Sequence, residues 1–220
     1  METVYDGYIS KHVNRKMSEP MARLLAKTKV TPNQMTWAAF GIALLSFISF
    51  VLGYNIIAGL LVQLSSIVDG IDGSLARLKG MTSEFGGFLD SVLDRYADIL
   101  IVLGLTLWSL SHETYPGIWL AGLLAITGII CVSYTRARIN PNHRHLFDTG
   151  FKSLASRDIR LFLIMLGAVI GQAYFCLVII AVLTNVVVFY RLIYMYRYLG
   201  QEDNRSKLSS QSSEEPQKHR

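Results

Sequence analysis

Four aspartates stand at fixed intervals inside otherwise apolar sequence: Asp69, Asp72, Asp90 and Asp94. The stretch reads D-G-I-D-G-S-L-A-R, then eight residues, then G-G-F-L-D-S-V-L-D. On helices, Asp69 and Asp72 share one face, and so do Asp90 and Asp94. A carboxylate in a bilayer-spanning segment is costly, and persists mainly where it faces a cavity and does a job. Four together, with oxygen donors only, suit Mg²⁺, Mn²⁺ or Ca²⁺ rather than zinc, and no His or Cys lies at a useful spacing. Gly70, Gly73, Ala76, Gly86 and Gly87 remove bulk around the acids. That lets helices pack closely and lets a large ligand reach the backbone beside a metal. Ordinary helix packing accounts for any one of these glycines, but poorly for the set. Asp98, one turn beyond Asp94, reads as structural, paired with Arg95 or an inner polar group.

The elements that must carry these acids are membrane-like. Of the 220 residues 51% are hydrophobic, and the mean hydropathy is positive, more apolar than a soluble domain of this size. Six segments approach the length needed to cross a bilayer, at roughly 34–53, 55–76, 86–110, 117–138, 158–172 and 174–198. All 21 lysines and arginines fall before the first segment, after the last, or around the second-to-third and fourth-to-fifth connections. The positive-inside tendency then places both termini, and the acids, on the cytoplasmic side of the cell membrane. The net charge of +5 is thus a matter of topology, and no nucleic-acid partner is expected. Cys131 and Cys176, both in apolar runs, read as small core or lipid-facing residues rather than a disulfide.

The expected architecture is all-α: a polytopic membrane protein of six transmembrane helices with an N-terminal amphipathic juxtamembrane helix. Residues 1–33 form the cytoplasmic juxtamembrane segment, 34–200 the membrane domain, and 201–220 a disordered polar tail. The amphipathic stretch over 7–29 carries Tyr8, Ile9, Val13, Met17, Leu24 and Leu25 among polar residues, with a bend expected near Pro20. Thr31-Pro32-Asn33 ends it and starts the first span, with Asn33 as the predicted N-cap.

At the aspartates the chain resembles the CDP-alcohol phosphotransferase family, whose signature is D-x2-D-G-x2-A-R-x8-G-x3-D-x3-D. Every fixed position matches: Asp69, Asp72, Gly73, Ala76, Arg77, Gly86, Asp90 and Asp94. The resemblance implies a CDP-linked donor whose β-phosphorus is attacked by an acceptor hydroxyl, with CMP leaving. It implies that Asp69, Asp72, Asp90 and Asp94 hold one or two Mg²⁺ or Mn²⁺ ions, and that Asp94 is also the general base. It implies donor contacts at Pro32, Asn33, Asp69, Gly73, Ala76, Arg77, Ser83 and Gly86, although Arg77 alone is also placed to snorkel to headgroups. Arg136, Arg160 and Arg191 are similar to a basic trio that binds the phosphate of inositol phosphate; cytoplasmic span ends are arginine-rich in any case. A homodimer in the lipid bilayer is expected from the family.

The stretches D-G-Y-I-S-K-H-V-N-R, V-T-P-N-Q-M-T, D-S-V-L-D-R-Y-A-D and S-R-D-I-R-L-F-L-I resemble most the di-myo-inositol-phosphate-phosphate synthase branch. That branch joins CDP-inositol to inositol phosphate. Its members often carry a fused cytidylyltransferase domain, which this chain is expected to lack because it begins almost at the membrane part. A lipid donor, CDP-diacylglycerol or CDP-archaeol, is the alternative and would make the chain a phospholipid synthase. From another functional class, an ion or proton transporter would also use buried acids, but needs polar groups across the full membrane depth. Here the acids cluster near one face. A non-catalytic scaffold leaves the carboxylates unexplained.

Overall fold

The computed structural model describes residues 15–139 and 155–214. They form seven helices: α1 (Arg15–Ala26), α2 (Pro32–Val51), α3 (Asn55–Lys79), α4 (Glu84–His112), α5 (Ile118–Arg138), α6 (Arg157–Ile170) and α7 (Ala173–Glu214). No strand occurs among the described residues. α2 to α7 coincide with the six apolar segments. Four helices are long and apolar enough to cross a membrane: Pro32–Val51, Asn55–Lys79, Ile118–Arg138 and Ala173–Tyr198. The other two differ for physical reasons. α4 carries Glu84, Asp90, Asp94, Arg95 and Asp98 in its first half. α6 has 14 residues, about 21 Å of helix against about 30 Å of hydrocarbon.

The start of α2 corrects the expected cap. The N-cap is Thr31, not Asn33: its side chain accepts from the Gln34 N–H, and the Gln34 side chain accepts from the Thr31 N–H. This reciprocal capping box satisfies two helix-end donors at once. Pro32 then occupies the first helical turn, where its missing N–H costs nothing, and Asn33 keeps its side chain for other partners. α1 contains Pro20 within the helix; the part of the amphipathic stretch before residue 15 lies outside the described residues. The connector between α1 and α2 is held by Lys79, whose Nζ donates to the carbonyls of Thr28 and Val30 at 2.7 and 2.6 Å. Just beyond Lys79, Gly80 ends α3 at φ 63°, a left-handed cap that favours glycine.

α2 is the common neighbour of the two acid-bearing helices: it packs along both α3 and α4, while α3 and α4 touch each other only slightly. α6 and α1 pack on α3, and α5 pairs with α7. The main core gathers Phe50, Val62, Ile101, Leu105, Ile164 and Leu177. A second cluster, Ala22, Ala39, Val68 and Ile71, fastens α1 to α2 and α3. Large apolar side chains such as Leu45, Leu60, Leu123 and Val182 point outward, as lipid-facing positions do. Cys131 and Cys176 are both free, and Cys176 is buried. α7 runs past the boundary placed at residue 200, to Glu214; no proline interrupts the sequence there before Pro216.

Candidate active site

Asp69 and Asp72 lie on one face near the end of α3, and Asp90 and Asp94 on one face near the start of α4. Because α2 sits against both helices, the acid pairs face one another across a gap rather than through direct helix contact. Asp69, Asp72 and Asp90 each offer one carboxylate oxygen, all within 4.8 Å of one another. Three hard oxygen donors converging from two helices fit a divalent cation of the Mg²⁺ or Mn²⁺ kind. Asp72 is buried and its carboxylate is fixed on both sides. Thr36 Oγ1 on α2 donates to Oδ2 at 2.7 Å, and the Gly73 N–H donates to Oδ1.

Asp94 has different partners. Its Oδ1 lies 2.8 Å from Arg157 Nη1 and its Oδ2 3.4 Å from Arg95 Nη2. The same Arg157 Nη1 lies 2.5 Å from Asp69 Oδ2, and Arg157 Nε donates to Asp98 Oδ1 at 3.1 Å. Arg157 thus bridges three carboxylates from the first position of α6. Asp98, fully enclosed, also receives Arg160 Nη2 at 3.0 Å and has Arg95 Nη1 at 3.7 Å. The expected pairing of Asp98 with Arg95 is therefore present, with two further guanidiniums added. Arg95 also donates to Ser133 on α5. In this low-dielectric setting unpaired charges would be very costly, and the network leaves few of them bare.

The residues expected to contact the donor line the approach to the acids. Pro32 is buried and Asn33 partly so. Ser83 caps α4, accepting from the Gly86 N–H at 3.0 Å. A Cβ on Gly86 would stand 3.0 Å from Ser83 Oγ and 3.3 Å from Asn33 Oδ1. Asn33, Ser83 and Gly86, distant in sequence, are thus gathered at one point. Gly73 has only Arg77 Nη1 near its missing side chain, at 3.6 Å, and the exposed Arg77 donates to Ser74 Oγ at 3.2 Å. Ala76, on the same turn, is partly buried.

The three arginines expected at the acceptor phosphate sit in different surroundings. Arg160 is buried on Asp98, and its Nη1 has no hydrogen-bond partner among the described residues. Arg191 is buried on α7 and donates from Nη1 to the Val132 carbonyl at 2.7 Å and to Thr135 Oγ1 at 3.1 Å. That seats it against the turn of α5 that carries the exposed Arg136. Sequence reasoning missed Arg157 and Thr36. A signal for Arg157 exists: a cation at a helix N-terminus opposes the helix dipole, so its presence there asks for nearby acids. Thr36 has no such signal.

A family model described as CDP-alcohol phosphatidyltransferase matches residues 29–190. A bifunctional IPC transferase and DIPP synthase of Thermococcus kodakarensis is 44% identical over 135 residues, covering 60% of this chain and 30% of the relative. An archaetidylinositol phosphate synthase of Pyrococcus horikoshii is 32% identical over 175 residues, covering 78% of this chain and 88% of the relative. The chain spans between 30% and 46% of the length of the bifunctional relatives it matches. Among solved structures, the phosphatidylinositol phosphate synthase of Mycobacterium tuberculosis with CDP-DAG bound aligns with a TM-score of 0.68 at 24% identity, covering 80% of this chain and 92% of that one. The same enzyme in complex with manganese and citrate gives a TM-score of 0.69 at 24% identity, covering 81% and 88%. At that identity the likeness speaks for the fold alone.

Proposed function

The chain belongs to the CDP-alcohol phosphatidyltransferase family, and from that premise we propose that it transfers the phosphoalcohol of a CDP-linked donor to inositol phosphate. The observation that carries this reading is the convergence of Asp69, Asp72 and Asp90 within 4.8 Å, on positions that match the family signature. A divalent cation on these carboxylates would neutralise the donor's pyrophosphate and the departing CMP.

The protein's own groups supply the rest. Asn33, Ser83 and Gly86 gather where the α2 and α4 N-termini meet, and form one wall for the cytidine end of the donor. Gly73, Ala76 and Arg77 form the other, the glycine leaving the backbone of α3 open to the pyrophosphate and Arg77 offering a guanidinium to it. Asp94, oriented by Arg157 and Arg95, accepts the proton of the attacking hydroxyl. A bond forms between the acceptor oxygen and the β-phosphorus, and the bond from that phosphorus to the oxygen of CMP breaks. Arg160, with a buried donor still open, presents the acceptor-phosphate site together with Arg136 and Arg191. Unsatisfied buried donors of this kind commonly await a ligand or ion.

We place six spans in the membrane, the charged half of α4 being turned toward the bundle and α6 the shortest crossing. The site then lies at the cytoplasmic ends of α3 and α4, with both termini on that side and α1 along the surface. CDP-inositol is the favoured donor, from the 44% identity to a relative named for DIPP synthesis. A CDP-linked lipid is the second reading, from the likeness that extends over 88% of an archaetidylinositol phosphate synthase. Offering CDP-inositol, CDP-archaeol and CDP-diacylglycerol separately, each with inositol phosphate, serine or glycerol phosphate, decides between them by CMP release. Release with CDP-inositol and inositol phosphate supports the first reading. Release only with a CDP-lipid supports the second, and release with no pair overturns both.

A further inference from the structure

Arg157 stands where a second cation would be expected. Its Nη1 lies 2.5 Å from Asp69 and 2.8 Å from Asp94, so one nitrogen bridges a carboxylate of α3 and a carboxylate of α4. Its Nε is anchored on the enclosed Asp98 at 3.1 Å. The side chain is thus held at three points, mostly buried, and cannot leave one acid without leaving a charge exposed in a low-dielectric gap. The formal charges agree with this placement. Asp69, Asp72, Asp90, Asp94 and Asp98 face Arg95, Arg157 and Arg160. Five carboxylates against three guanidiniums leave two negative charges, the complement of one divalent ion.

We propose that Arg157 is a built-in cation that takes the Asp69–Asp94 edge of the site, so that the donor-free protein binds a single divalent ion, on Asp69, Asp72 and Asp90. The inference rests on the metal reading above and deepens it: Arg157 sets the metal count and keeps Asp94 out of the ligand set. It acts through the carboxylates it holds, and is therefore a positioning residue.

The test is Mn²⁺ binding to the full-length protein in detergent, without donor, with free Mn²⁺ read from its electron paramagnetic resonance signal. One ion per chain is expected for the wild type, and two would overturn the proposal without recourse to any variant. Arg157→Gln is expected to take up a second ion, or to bind the first at least about tenfold more tightly, because a like charge beside the site is gone. An unchanged count and affinity in folded Arg157→Gln overturns it. Arg157→Lys, which keeps the charge, is expected to retain one ion per chain, and a second ion there also overturns it. Absence of Mn²⁺ binding in both the wild type and Arg157→Gln overturns the metal reading itself, whereas binding that ignores Arg157 overturns only this inference.

Discussion

Thr36 Oγ1 lies 2.7 Å from Asp72 Oδ2, joining the first turns of α2 to the acidic turn of α3. The bond is buried and fixes the carboxylate most enclosed of the three that converge. Outer-shell partners of this kind typically tune metal affinity by about 10–100-fold. Thr36→Val keeps the shape and removes the donor. The Mg²⁺ concentration for half-maximal activity is expected to rise by about tenfold or more, while Thr36→Ser stays near wild type. A metal titration of both variants checks this, and equal requirements would contradict it.

Asp98 carries stability rather than chemistry. It is the shared counter-charge of Arg157, Arg160 and, more distantly, Arg95. Asp98→Asn leaves buried guanidiniums short of a negative partner, a change that typically costs about 3–5 kcal/mol. Thermal unfolding in detergent should show a large loss for Asp98→Asn. A melting temperature within error of wild type would contradict the network.

Gly86 is argued to keep the donor wall open. The Cβ of Gly86→Ala would stand 3.0 Å from Ser83 Oγ and 3.3 Å from Asn33 Oδ1. The variant should fold, since a flexible side chain can give way, but displace the groups that face the nucleotide. The donor KM is expected to rise by about tenfold, in line with small misplacements near reacting groups. Gly87→Ala meets no atom within 4 Å and should leave KM unchanged. Equal effects at the two positions would contradict the assignment.

How much of this was legible in the sequence differs by element. Hydropathy and charge placement located α2 to α7, because apolar runs and the turns between them are local features. The two acid pairs were legible because their spacing matches helix periodicity. The way they meet was not: consecutive helices suggested direct packing of α3 on α4, whereas α2 is the shared neighbour. Thr36 and Arg157 reach the acids from α2 and α6, contacts 36 and 88 residues apart in the chain, which no local pattern encodes. The N-cap of α2 fell on Thr31 rather than Asn33 because the backbone turn, not residue preference, chooses among adjacent capping residues. The limits of α4 and α6 as spans follow from charge and length, which the turn pattern alone understated.

Asp94 is argued to take the proton, and removing its negative charge separates that role from binding. Asp94→Asn is expected to reduce turnover by at least about a hundredfold while equilibrium binding of the CDP-linked donor survives. Turnover at the wild-type rate would remove Asp94 from the mechanism.

The central claim is that carboxylates from α3 and α4 jointly hold the cation on which transfer depends. The most direct measurement is CMP release by the purified protein, with and without Mg²⁺, for wild type and Asp72→Asn. The account predicts release by the wild type that stops on chelation, returns with Mg²⁺ or Mn²⁺, and is absent in folded Asp72→Asn at any metal concentration. Release that persists under chelation, or that folded Asp72→Asn sustains at the wild-type rate, would contradict it.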